Sequence, residues 1–100
     1  MSTIYITAPP EAADDIAERL VEERLAACVN PVPTTSTYRW EGEIHRDGEV
    51  LLLAKTTDDA YGDLVARVQE LHPYDVPCLE RFDECDLLES FAVWRADSVE

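Results

Sequence analysis

Glu49-Val50-Leu51-Leu52-Leu53-Ala54-Lys55-Thr56-Thr57 is the stretch on which the fold turns. From Val50 to Ala54 every side chain is apolar. A strand with one face in water alternates apolar and polar residues, whereas an unbroken apolar run needs cover on both faces. The stretch reads as a central strand, entered through an Asp47-Gly48 turn. Upstream, Val32 to Trp40 is rich in Thr, Val, Tyr and Trp without a helical period, a second strand. Gly42, within Glu41-Gly42-Glu43-Ile44, marks a bulge.

Ahead of these, Ala13, Ile16, Ala17, Leu20 and Val21 fall on one helical face, which predicts a helix from about Pro10 to Cys28. Glu11, Asp14 and Asp15 occupy its first turn, where the helix dipole favours acids, and Asn30 and Pro31 end it. Ile4-Tyr5-Ile6 is a short strand stopped by Pro9 and Pro10. Downstream, Thr57 is an N-cap for a second helix with Tyr61, Leu64, Val65, Val68 and Leu71 as its buried stripe. In Leu71-His72-Pro73-Tyr74-Asp75-Val76-Pro77, Pro73 pushes His72 out of helical geometry and closes that helix. Val76 to Phe82 is a fourth strand, and Asp86 to Ala96 a last helix with Leu87, Leu88, Phe91 and Trp94 on one side.

The order is βαββαβ plus a terminal helix: an α+β, ferredoxin-like sandwich, with both main helices on one face of a four-stranded antiparallel sheet. One hundred residues without repeats or linkers make a single domain, 1–100. The helices leave one face of the sheet open, yet its central strand is apolar throughout. The economical cover is another copy of the same chain.

Twenty-two acidic residues stand against eight basic ones, for a net charge of −14, and Lys55 is the only lysine. Such a surface repels nucleic acid and anionic lipid. No apolar run approaches the ~20 residues needed to cross a membrane. The N-terminus runs straight into Thr3-Ile4-Tyr5-Ile6-Thr7 with no basic segment, which places the chain in the cytoplasm. Dense carboxylates with one lysine suit an organism with high intracellular salt, where screening relieves self-repulsion. A calcium or magnesium buffer does not fit, because no loop carries the spaced oxygen ligands. Cys28, Cys78 and Cys85 form neither a disulfide framework nor a zinc motif. No nucleophile–base pair or phosphate-cradling glycine loop points to an enzyme.

Four blocks carry a resemblance: Leu20 to Asn30 (LVEERLAACVN), Tyr38-Arg39-Trp40-Glu41-Gly42, Lys55-Thr56-Thr57, and Leu71 to Pro77. In this order and spacing the chain resembles the CutA family, named for divalent-cation tolerance, from about Ile4 to Trp94. The resemblance implies a homotrimer of ferredoxin-like subunits, sheets edge to edge and inner faces turned together, similar in architecture to PII signal proteins. It also implies a trimeric copper or other divalent metal ion-binding protein, not an enzyme. The alternative is a PII-like ligand-sensing or scaffold trimer that binds a small anion or a protein partner at inter-subunit clefts. The chain departs from the family pattern over Cys78 to Cys85, and Phe91 stands where the family has a tyrosine.

Carried across position by position, the family's proposed cleft site picks out Cys28, Glu49, Lys55, His72 and Trp94, with Phe91 for the tyrosine; the turn adds Tyr74. Cys28, Glu49 and His72 are the candidate metal ligands, and Lys55, Tyr74, Phe91 and Trp94 the candidate cleft residues. Each has a plainer reading. Cys28, at an expected helix C-terminus where the dipole disfavours a thiolate, is either a small buried residue or a soft-metal ligand. His72 either ligates or satisfies backbone carbonyls. Glu49 and Lys55 share a strand face about 20 Å apart, and meet only through subunit packing. Lys55 holds an anion or carboxylate, or forms an ion pair between subunits. Phe91 and Trp94 fit a stripe packed on the sheet. His45 is solvated beside the hairpin turn.

Overall fold

The structure is a computed structural model that describes residues 1–99. Among these, the elements run β1 (Ser2–Ala8), α1 (Pro10–Glu22), β2 (Cys28–Trp40), β3 (Glu43–Thr56), α2 (Tyr61–Leu71), β4 (Leu79–Asp83) and α3 (Glu89–Ser98). The strands form one sheet in the order β2-β3-β1-β4, antiparallel throughout. This is the expected ferredoxin-like arrangement with an added C-terminal helix.

The core lies between the sheet and the first two helices. Ile4 and Ile6 of β1 and Leu52 and Ala54 of β3 pack with Ala13, Ile16 and Leu20 of α1 and Leu64 and Val68 of α2, all essentially inaccessible. Each large aliphatic side chain buried this way contributes about 1.5–3 kcal/mol. Along β3, Leu52, Ala54 and Thr56 are buried, whereas Leu51, Leu53 and Lys55 are only partly covered. The apolar run therefore has its helical cover on one face, and its other face is open within one chain.

A second feature sits at the far end of β3. β1 pairs with β3 only from Val50 to Thr56, while β2 pairs with it from Lys55 out to Glu43. Thr34–Trp40 and Glu43–Glu49 thus project as a two-stranded arm, and the molecule measures 45 × 25 × 21 Å. A lone two-stranded ribbon is marginally stable in water. This one exposes Tyr38, Trp40 and Ile44.

Several boundaries differ from the sequence expectation. α1 ends at Glu22, not Cys28. Leu25 N–H donates to the Leu20 carbonyl at 2.9 Å and Arg24 N–H to that of Val21 at 3.1 Å, with Arg24 at φ +60°. This is a Schellman stop built without its usual glycine. Cys28, Asn30 and Pro31 consequently lie in β2, an edge strand that tolerates proline. The hairpin turn is Glu41-Gly42, at φ +51° and +81°, the left-handed pair that matches strand twist. There is no bulge there, and Asp47-Gly48 instead runs inside β3 opposite Ser36 and Thr35. Thr57 Oγ1 accepts from Ala60 N–H at 3.4 Å in a turn that precedes α2, so the helix starts at Tyr61. β4 begins at Leu79, leaving Val76 exposed ahead of Pro77. Of the apolar stripe expected on α3, Leu87 and Phe91 are half-buried but Leu88 and Trp94 are exposed, and the residue that α3 buries is Arg95.

Candidate functional site

His72 caps the C-terminus of α2 and ties it to β1. Its Nδ1 accepts from Tyr74 N–H at 3.2 Å. Nε2, which then carries the hydrogen, donates to the Thr7 carbonyl at 2.7 Å. Both ring nitrogens are engaged, and one of them serves a backbone carbonyl, the plainer of the two sequence readings. The imidazole also packs against the Tyr74 ring, with centroids 4.8 Å apart. Tyr74 is thereby placed over the arm, where its hydroxyl donates to Glu49 Oε2 at 3.2 Å. Glu49 is only 7% exposed. Burial, and then the Glu49 charge, raise the Tyr74 phenol above its ordinary pKa.

Tyr38 repeats the pattern one step along the arm. Its hydroxyl donates to Asp47 Oδ2 at 2.5 Å, and this bond pushes the phenol up to about 12. His45 stacks on the Tyr38 ring at 5.5 Å rather than standing in solvent. The arm, β1 and the loop after α2 enclose a cleft of about 650 Å³, with Tyr5, Tyr38, Trp40, Glu49, Tyr74 and Asp75 in its walls. Cys78 also lines it, its thiol pushed up chiefly by burial.

The remaining candidates lie elsewhere. Cys28 is the register partner of Lys55, whose Nζ donates to Asn30 Oδ1 at 3.4 Å. The helix-dipole argument for Cys28 falls, because the residue begins a strand. Glu49 and Lys55 sit at opposite ends of the open face, about 20 Å apart at strand rise. Phe91 and Trp94 stack on each other on α3, centroids 5.6 Å apart, and Trp94 is 46% exposed. One chain therefore joins Glu49, His72 and Tyr74, and separates them from Cys28 and Lys55. Among the described residues, no three His, Cys, Asp or Glu side chains converge as a metal site.

Sequence reasoning missed Arg95. Its guanidinium is 1% exposed, and Nη1 and Nη2 donate to the two Glu84 oxygens at 2.5 and 2.9 Å. Nη1 also donates to the carbonyls of Ser2 and Thr56. The Arg95 bond, against the opposing effect of burial, holds Glu84 below the usual carboxylate range. This pair fastens α3 to the ends of β1 and β3. The available signal was a lone arginine four residues after Phe91, and its charge lies 5.0 Å above that ring.

With this geometry, residues 2–98 match the family described as CutA1 divalent ion tolerance protein. The chain belongs to the CutA1 family. The CutA divalent-cation tolerance protein of Thermus thermophilus is 59% identical over 76 residues, 74% of each chain. The PII-like protein CutA from Nostoc sp. PCC 7120, solved in apo form, superposes with a TM-score of 0.97 at 32% identity, covering 100% of this chain and 98% of that one. The CutA of Archaeoglobus fulgidus, described as a periplasmic divalent cation tolerance protein, superposes at 0.96 with 38% identity over the whole of both chains. Among the described residues of this CutA1 member, no helix is long and apolar enough to cross a membrane.

Proposed function

We propose that the chain works as a homotrimer in divalent-cation tolerance, by binding rather than turnover, with copper or another divalent cation as its cargo. Family membership supports the cation role. The observation that carries the rest is the split of the candidate ligands along one uncovered sheet face, Cys28 at one end and Glu49 with His72 at the other. Only a neighbouring copy can bring the two ends together. In this reading the Cys28 thiolate of one subunit supplies the soft ligand and Glu49 of another the carboxylate. His72 joins by releasing its bond from Tyr74 N–H, which frees Nδ1. The cytoplasm is the proposed compartment, and a potassium-rich one accounts for the net charge of −14.

The test is copper binding in concentrated potassium chloride, comparing the native chain with Cys28→Ala and His72→Ala and following the assembly mass of each. Saturable binding in simple ratio to subunits, lost in both variants while the assembly persists, supports the site. Weak binding unchanged by either substitution refutes it and leaves cations merely decorating an acidic surface. The likeness to the PII-like Nostoc protein favours one further reading, a ligand-sensing trimer in which Lys55, beside Asn30 and Cys28, holds a small anion.

A further inference from the structure

Most basic side chains are engaged within the chain. Arg19, Arg67, Arg81 and Arg95 form ion pairs, Arg24 donates to the Asp97 carbonyl and Lys55 to Asn30. Arg39 and Arg46 stand apart: among the described residues neither side chain has a hydrogen bond, ion pair or ring contact. Both are exposed, and both lie on the arm. Leu52 and Ala54 of β3 turn to the helices, and strand alternation carries Ile44 and Arg46 to that same side, away from the cleft. Arg39 is the register partner of Ile44, and Thr37 that of Arg46. The two arginines are therefore diagonal neighbours about 7–8 Å apart, with Ile44, 62% exposed, beside them. Like charges so placed repel, and a chain of net −14 leaves them unanswered.

The counterpart lies on α1. Glu18 and Glu22 are one turn apart, about 6 Å along the axis, a like-charge pair that repels in the same way. Among the described residues neither side chain has an ion pair or hydrogen bond, whereas Asp15 pairs with Arg19 and Glu23 with Arg67. The two acids border a shallow groove of about 440 Å³ whose apolar part is Ala17, Val21 and Val29. We propose that the arm of one copy docks in this groove of another, with Ile44 seated on Ala17, Val21 and Val29, and Arg39 and Arg46 paired with Glu18 and Glu22. Charge, spacing and the apolar centre all match, and both repelling pairs are neutralised at once. Both surfaces lie on the helix side of the sheet. In the proposed trimer the open faces turn together, so these surfaces look outward and the contact joins one trimer to another. It is heterologous, a different surface on each partner. A patch this small binds weakly, with Kd of about 0.1–1 mM, so trimers stay separate in dilute solution and associate when concentrated.

The experiment is small-angle X-ray scattering of the full chain in about 1 M potassium chloride, from dilute protein to a few millimolar in chains. Screening then reaches only about 3 Å, which removes long-range repulsion between chains of net −14 and leaves touching groups paired. The dilute mass reads the trimer, and its rise with concentration reads the contact. The native protein is expected to show that rise. Arg39→Glu with Arg46→Glu, and separately Glu18→Arg with Glu22→Arg, each weaken association about tenfold or more. An equimolar mixture of the two double variants restores it, because reversed arms meet reversed grooves. Asp59→Arg with Asp63→Arg, the same charge change around the start of α2, leaves the native association in place. No rise in the native protein would overturn the contact and leave the arginine pair to an acidic partner of another kind. Reversed variants that associate like the native chain, or a mixture no better than its components, would also overturn it. So would an equal loss in the α2 variant, which would reduce the effect to diffuse charge. A dilute mass of one chain would refute the trimer alone, since the same rise and the same restoration still test the contact.

Discussion

From Val50 to Thr56, β3 has a strand on each side and two helices over one face; from Glu43 to Glu49 it has β2 beside it, no helix above, and only Tyr74 over Glu49. In the first region the side chains under the helices meet their partners within the chain, so Leu52 and Ala54 are fully buried, while Leu51 and Leu53 on the other face are only partly covered. In the second, Tyr38, Trp40 and Ile44 stay in contact with water, and two carboxylates are capped by tyrosines rather than by cations. The difference marks where the folding of one chain ends and the need for something outside it begins. The helix-covered half holds the core, and the arm leaves its aromatic side chains exposed.

The comparison can be broken or sharpened by substitution. Glu84→Gln, which leaves the buried Arg95 charge without its carboxylate, is expected to have the largest effect, a loss of about 3–5 kcal/mol in chemical unfolding. The same pair sets a pH dependence. Glu84 is held below its ordinary value of 4.5 in the folded state, so its contribution is complete above that value. It fades as pH falls through the lower folded value, because the unfolded chain takes up the proton first. Acid unfolding of Glu84→Gln should therefore be less steep below pH 4.5 than that of the native chain. In the covered half, Leu52→Ala should cost about 2–5 kcal/mol, against under about 0.5 kcal/mol for Ile44→Ala in an isolated subunit. A large stability loss from Ile44→Ala in the dissociated chain would erase the distinction between the regions.

Smaller effects probe the arm itself. Gly42→Ala places a side chain at φ +81° and should destabilise by about 1 kcal/mol, while Glu41→Asn, better suited to φ +51°, should stabilise slightly. The smallest change is spectroscopic. Ultraviolet titration should find one tyrosine ionising near 12, and Asp47→Asn should bring it back toward 10.0.

The legible parts of the molecule share a cause. The periodicities of α1 and α2 and the apolar run of β3 reflect burial within the chain, and they led to the correct element order, to an antiparallel sheet and to the open face. The misplaced parts depend on backbone geometry that carries no residue signature. Arg24 adopts the left-handed conformation that stops α1 without a glycine, so Cys28 was assigned to the wrong element. Asp47-Gly48 is the stronger turn signal, yet Glu41-Gly42 makes the turn, because strand pairing over the whole of β2 decides the register. Arg95 was overlooked because an arginine in an amphipathic stripe ordinarily faces water, and its carboxylate partner comes from a segment where the chain departs from its family. The link from His72 through Tyr74 to Glu49 spans three elements and could be read only in three dimensions.

Assembly is the claim on which the arm, the open face and the split ligand set all depend. Sedimentation equilibrium in concentrated potassium chloride, on the native chain and on Leu51→Asp at the centre of the open face, tests it directly. The expected result is three times the 11.3 kDa chain mass for the native protein and a folded single-chain mass for the variant. A native protein that sediments as one chain, with its arm and apolar face in water, would contradict it.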